Sequence, residues 1–252
     1  MARDHQPTAA VLIIGDEILS GRTQDVNLNA IARYLGTYGI DVKEARVVGD
    51  EQAEIVEALN ALRTRYDYVV TTGGIGPTHD DITADCVAAA FGVPLYEHPE
   101  ILAMMTDRWG DQLNAARRRM TRVPQGGTLV KNPVNGPPGF QIGNVFVLAG
   151  VPQIMRGMLE DVGHRLKSGA VVVARTVRVD GSGEGMIAEP LEAVARAHLD
   201  LSLGSYPFFS AEGYGSNLVI RGRDAAEVDA AVRELIEALR AAGVAQITEV
   251  DG

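Results

Sequence analysis

One stretch limits the fold before any count of residues does. Tyr68-Val69-Val70-Thr71-Thr72 reads as the end of a buried strand and runs into Gly73-Gly74-Ile75-Gly76-Pro77. Thr78-His79-Asp80-Asp81-Ile82-Thr83 follows, and residues 84–91 have the composition of a helix. A strand that ends in glycines and leads into a helix aims several backbone N–H groups at one point, beside the positive end of the helix. That arrangement suits an anion, usually a phosphate. Asp80 and Asp81 add carboxylates of the kind that hold a divalent cation against a phosphate. The same residues also fit a plain structural turn, because Thr78 and Asp81 have the spacing of a capping box.

The rest of the first two-thirds supplies the frame for that turn. Ala9-Ala10-Val11-Leu12-Ile13-Ile14 is a continuous apolar run, as expected of a central parallel strand covered on both faces. It ends in Gly15-Asp16-Glu17 and continues through Ser20 and Asp25 to Asn27. Ligands of open α/β sheets bind beyond the strand ends, so this polar segment is expected to face the same crevice as the glycine turn. Leu28, Ile31, Ala32 and Leu35 set a helix over 27–38, and 42–48 is a second strand. Ile55, Val56, Leu59 and Leu62 set a helix over 51–65, with Asp50 as its expected N-cap. The β-α-β-α-β-α order predicts parallel crossovers and a three-layer α/β domain with a mostly parallel sheet.

Residues 98–119 read as helix broken at Gly110, 123–139 as a stiff loop rich in proline and glycine, 140–148 as a hairpin turning at Gly143-Asn144, and 153–166 as helix. Near Lys167-Ser168-Gly169 the pattern changes to short strands and two helices, a small α+β unit. The expected division is 1–168 and 169–252.

The chain carries 33 acidic against 23 basic residues, a net charge of −10, and a pI near 5.0. That balance argues against nucleic-acid or membrane partners, which call for a basic face. Arg117-Arg118-Arg119 with Arg122 is a local basic spot, read as a solvated helix face. A single cysteine, Cys86, excludes an internal disulfide framework, reads as a packed residue and fits a reducing, cytoplasmic setting. No run approaches the ~18 apolar residues of a membrane span, and residues 1–8 are too polar for a signal peptide. His79 is read as a surface residue.

Residues 71–83 resemble the signature of the molybdenum-cofactor-biosynthesis (molybdopterin-binding) domain family. Ile14-Gly15-Asp16-Glu17-Ile18-Leu19-Ser20-Gly21, with Asp25 and Asn27, resembles the branch found at the N-terminus of the competence/damage-inducible protein CinA and in the N-terminal half of eukaryotic FAD synthases. Asn132-Pro133, Pro138-Gly139-Phe140, Gly150-Val151-Pro152 and Gly204-Ser205-Tyr206-Pro207 are similar to later motifs of that branch. Pro137 stands where the family usually has a small residue, and Ala149 where it often has proline. The resemblance implies that Gly73, Gly74 and Gly76 bind phosphate through their N–H groups and that Asp81 is the carboxylate required for chemistry or metal binding. It implies that Asp50 is a second acidic position, that Asp16, Glu17, Ser20 and Asn27 line the same pocket, and that Thr83 orients Asp81. Asp81 with Asp16 or Glu17 would then hold Mg²⁺, or Mn²⁺ or Co²⁺. The ligand implied is a nucleotide or pterin phosphate, the activity hydrolysis of a nucleotide pyrophosphate such as ADP-ribose or FAD, and the assembly a homo-oligomer, dimer or trimer. Adenylyl transfer to molybdopterin and non-catalytic binding of a pterin or nucleotide are the alternatives. The deamidase domain of long CinA proteins and the FAD-synthesising domain have no counterpart in this sequence.

Overall fold

The computed structural model describes residues 5–211 and 213–250, which form two units divided after Gly169. In the first unit β1 (Thr8–Ile14), a short α1 (Asp16–Leu19), α2 (Asn27–Thr37), β2 (Asp41–Val48), α3 (Gln52–Arg65) and β3 (Tyr68–Thr72) follow in that order. Then come α4 (Thr83–Phe91), β4 (Leu95–Glu97), α5 (Pro99–Trp109), α6 (Ala115–Arg119), β5 (Arg122–Pro124), β6 (Thr128–Val130), β7 (Gly139–Ile142), β8 (Val145–Leu148) and α7 (Pro152–Val162).

The main sheet has six strands in the order β2-β1-β3-β8-β7-β6. β1 pairs in parallel with β2 and β3, and β3 in parallel with β8, while β7 and β6 are antiparallel. The apolar run of β1 shows why this sheet needs two coats. Ala10, Leu12 and Ile14 pack with Ile55, Leu59 and Val87 on one face, and Ala9, Val11 and Ile13 pack with Ile31, Leu35 and Met155 on the other. Alternate residues of a strand point to opposite faces, so a strand apolar throughout is stable only between two helical layers. The three-layer α/β expectation therefore holds. Its consequence for function is that β1, β2 and β3 end side by side, at Ile14, Val48 and Thr72.

Three details differ from the sequence reading. The loop over 123–139 contains the three-residue strands β5 and β6, too short to leave a period. α4 begins at Thr83, so Pro77 to Ile82 intervene between the glycines and the helix. Asp50 does not cap α3: the cap position is Glu51, and no side chain bonds to it.

The second unit holds β9 (Val173–Asp180), α8 (Glu184–Ala197), β10 (Ser202–Ser210), β11 (Gly213–Gly222), α9 (Ala225–Ala241) and β12 (Gln246–Val250). Its strands form one antiparallel sheet, β10-β11-β9-β12. α8 and α9 bury Ile187, Val194, Val228, Leu235 and Leu239 against Val177, Val179, Leu218 and Ile220. Asp224 caps α9, accepting from the N–H groups of Ala226 and Glu227.

Candidate functional site

The glycine turn is held by its carbonyls, which leaves its N–H groups over. The Thr83 hydroxyl, fully buried, donates to the Gly73 carbonyl at 2.9 Å, and the Thr83 N–H donates to the Gly74 carbonyl at 3.0 Å. The Gly73 N–H donates to the Leu148 carbonyl at 3.3 Å. The N–H groups of Gly74, Ile75 and Gly76 have no intramolecular acceptor among the described residues. Gly74 is left-handed, with φ +65°, which turns successive N–H groups toward a common side. Gly73 has φ +107°, and a Cβ there would strike the Ile14 carbonyl oxygen. Gly73 is thus the residue that lets β3 pass close to β1, and its own N–H is already engaged; this corrects its expected role as a phosphate donor. Gly74 and Gly76 keep theirs free.

Two further expectations change. Thr83 does not orient Asp81. It fastens the glycine turn to α4. The Asp81 carboxylate is oriented by Thr78, whose N–H donates to Oδ2 at 2.7 Å and whose hydroxyl donates to the same oxygen. That contact is one half of a capping box, the Asp81 N–H going to the Thr78 carbonyl instead of its hydroxyl, and it lies in the loop before α4 and caps nothing. Asn27 is 95% buried and does not line the cavity. Its Nδ2 donates to Thr72 Oγ1 at 2.8 Å and to the Gly150 carbonyl at 2.7 Å, and Thr72 Oγ1 donates to the Ala149 carbonyl at 2.9 Å. Asn27 is therefore a clamp between the end of β3 and the segment after β8. Ser20 is exposed at the end of α1 and also lies outside the cavity.

The ends of β1 and β2 bring Asp16 and Asp50 together. Gly15 N–H bonds the Val48 carbonyl at 3.1 Å, and the two aspartates exchange contacts. Asp16 N–H donates to Asp50 Oδ2 at 2.9 Å, and Asp50 N–H to Asp16 Oδ1 at 3.4 Å. Loss of water holds the Asp50 carboxyl above the usual aspartate range, and the like charges of Asp16, Glu17 and Asp80 push the same way, against the Asp16 N–H. Asp16, Glu17 and Asp81 do not form one ligand set: among the described residues no three His, Cys, Asp or Glu side chains are grouped so as to hold a metal ion. A Mg²⁺ ion bound with a phosphorylated ligand takes only one or two carboxylates, its other positions being phosphate oxygens and water. The neighbouring carboxylates of Asp16 and Asp50 fit that smaller requirement.

The glycine turn, Asp81 and Glu17 border a cavity of about 630 Å³; Asp16, expected in its lining, and Asp50 are not part of it. Gly73, Gly74, Ile75, Gly76, Asp81, Glu17 and Thr23 form one part of its lining, with Ala149 to Pro152 alongside. The remainder is largely apolar: Met105, Trp109, Met120, Pro137, Ile154 and Met158. Trp109 ends α5, and Arg117 from α6 lies over its ring with Cζ 3.8 Å from the centroid. Asn132 stiffens the proline loop, accepting from the N–H groups of Val134 and Asn135 and donating to the Pro137 carbonyl. Nothing in the sequence reading assigned Trp109, Met105 or Met120 to the site. The only available signal was the lone tryptophan beside the helix-breaking Gly110.

The basic spot divides in the same neighbourhood. Arg118 pairs with Glu97 and Arg122 with Asp85, both through two bonds, and Arg119 donates to the Asp81 carbonyl at 3.2 Å. The solvated-face reading therefore fails for Arg119 and Arg122, which are partly buried. Cys86 is buried and its thiol is pushed up to about 12, chiefly by burial, as expected of a packed residue. His79 is almost wholly exposed, 3.8 Å from Asp80.

Residues 10–168 match the family described as "Probable molybdopterin binding domain". The chain belongs to this molybdopterin-binding domain family. Residues 172–247 match the family described as "FAD synthase, middle domain". A CinA-like protein of Gemmatimonas aurantiaca is 34% identical over 78% of this chain and 50% of its own length. A protein of Archaeoglobus fulgidus is 33% identical over 91% of this chain and 96% of its own. The crystal structure of the protein CinA, of unknown function, from Thermoplasma acidophilum superposes with a TM-score of 0.60 at 34% identity, covering 63% of this chain and 96% of that one. The molybdopterin-binding domain is thus of the CinA type, and the chain spans about half the length of the CinA-like relatives it matches. Among its described residues no helix is long and apolar enough to cross a membrane.

Proposed function

We propose that the molybdopterin-binding unit hydrolyses a nucleotide pyrophosphate of the ADP-ribose or FAD type. The observation that carries this reading is the triplet of unengaged N–H groups at Gly74, Ile75 and Gly76, set in one cavity with Asp81 and with an apolar, aromatic-lined remainder. The N–H groups would donate to the phosphate oxygens and oppose charge that grows in the transition state. The apolar remainder, with Trp109, would take a planar ring and exclude water from its faces. Asp81, held by Thr78, would take up a proton or bind a cation beside the reacting phosphate. A divalent cation on Asp16 and Asp50 would neutralise charge on the pyrophosphate.

Incubating the pure protein with ADP-ribose or FAD and Mg²⁺, Mn²⁺ or Co²⁺ tests the reading. Release of AMP is the expected result, and its absence with every pairing would sink it. The family description names molybdopterin as a ligand, and a second reading is adenylyl transfer to it. AMP transfer from ATP to molybdopterin, with no pyrophosphate-linked dinucleotide cleaved, would decide for that one. Tight binding without turnover in either assay, unaffected by Asp81→Asn, would mark a binding module.

A further inference from the structure

The four arginines of residues 117–122 are not equivalent. Arg118 is neutralised by Glu97 at 2.6 Å, Arg122 forks onto Asp85 at 2.9 and 2.7 Å, and Arg117 lies over Trp109. Arg119 has neither a carboxylate nor a ring in contact among the described residues. Its guanidinium makes one hydrogen bond, from Nη2 to the main-chain carbonyl of Asp81. A carbonyl occupies only part of a five-donor fork and carries no formal charge to pair with the guanidinium.

That bond brings the cation to the glycine turn. Arg119 borders a recess of about 20 Å³ whose lining includes Gly74, Gly76 and Asp81, residues that also line the main cavity. The recess is water-sized, room enough for a single oxygen atom. Asp81 is the carboxylate in its lining, and it would repel a phosphate approaching without a cation or a guanidinium.

We propose that Arg119 is a binding residue for the phosphate on the glycine turn, and that it sets the cavity's preference for diphosphate-bearing ligands over bare nucleosides. The guanidinium would donate to a non-bridging oxygen lodged in the recess, a charge-assisted bond added to the N–H groups of Gly74 and Gly76. This inference rests on the reading of the cavity as a nucleotide-pyrophosphate site.

The test is calorimetric titration of the full chain with ADP and with adenosine, using wild type, Arg119→Ala, Arg119→Lys and, as the control, Arg118→Ala. Arg119→Ala is expected to weaken ADP binding roughly 10- to 100-fold and to leave adenosine binding unchanged. Arg119→Lys, which keeps the charge without the fork, is expected to recover part of the loss and serves if the alanine variant does not fold. Arg118→Ala is expected to bind ADP as wild type does. Wild-type ADP affinity in both Arg119 variants would overturn the proposal, as would an equal loss for ADP and adenosine, the mark of a collapsed loop. If wild type itself takes up no ADP, the pyrophosphate reading of the cavity fails first, and the role of Arg119 goes with it.

Discussion

Two parts of the cavity lining are built in opposite ways. From Gly73 to Gly76 a ligand meets main chain: glycine N–H groups, with carbonyls locked by Thr83 and the turn fastened from outside the lining by Asn27, which clamps Thr72 to Gly150. From Met105 to Met120 it meets side chains, Trp109 among them, carried by α5 and α6. The first part has no room for even one added methyl at Gly73 or Gly74, where a Cβ would strike the Ile14 carbonyl or the Thr83 hydroxyl. Gly110, at the end of α5, has nothing within 4 Å of the same position. Main chain offers the same N–H to any phosphate and cannot be adjusted residue by residue; side chains can. On the proposed reading, the first part would hold phosphate whatever the ligand, and the side chains of the second would choose among ligands.

The sharpest way to break the comparison is a pair of alanines. Gly73→Ala forces both a positive φ and a backbone clash, and should cost about 3 kcal/mol or more of unfolding free energy in urea. Gly110→Ala, with φ +46° and open space, should cost about 1 kcal/mol. Equal losses would mean that the two parts are equally tight. Next in size is Asp81→Asn, expected to lower AMP release at least about 100-fold while ADP binding persists, which single-turnover kinetics and calorimetry would separate. Trp109→Ala should weaken nucleotide binding by roughly 10-fold and leave inorganic pyrophosphate binding unchanged. A loss for both ligands would deny the division of labour. Thr83→Val strands the buried Gly73 carbonyl and should lower stability by about 1–2 kcal/mol, read in the same urea titration.

Asp50→Asn carries the smallest effect, and its sign is fixed. Asp50 is raised in the folded chain, so its contribution to stability is full below the ordinary aspartate range and is lost as pH rises through its folded value. Asparagine keeps an acceptor for the Asp16 N–H without the charge. Its melting temperature should exceed that of wild type at neutral pH, in metal-free buffer, and the gap should close in acid. A gap that widens in acid would contradict an Asp50 carboxyl raised by loss of water and its acidic neighbours.

How far the sequence revealed each part follows from the same contrast. Glycines after an apolar strand have few alternatives, so the turn at 73–76, the parallel order of β1 to β3 and the helix covers could be read directly. Side-chain partnerships have many alternatives. Asp81 finds Thr78 instead of a helix end, Thr83 finds Gly73 instead of Asp81, and Asp50 finds Asp16 instead of the start of α3. Thr83 and Asp50 were singled out for the correct region and given the wrong neighbour, whereas Thr78 and Asp81 were paired correctly but cap no helix. Trp109 and Arg119 were harder still, because a helix break at Gly110 says that the chain turns and not which side chains it turns toward.

The central claim is that phosphate is held by main-chain N–H groups beyond β3. Glycine-selective ¹⁵N labelling with titration of ADP tests it most directly. The amide resonances of Gly74 and Gly76 should shift with ADP and stay in place with adenosine, while that of Gly73, bonded to Leu148, should move less. Binding of ADP that leaves Gly74 and Gly76 unmoved would contradict it.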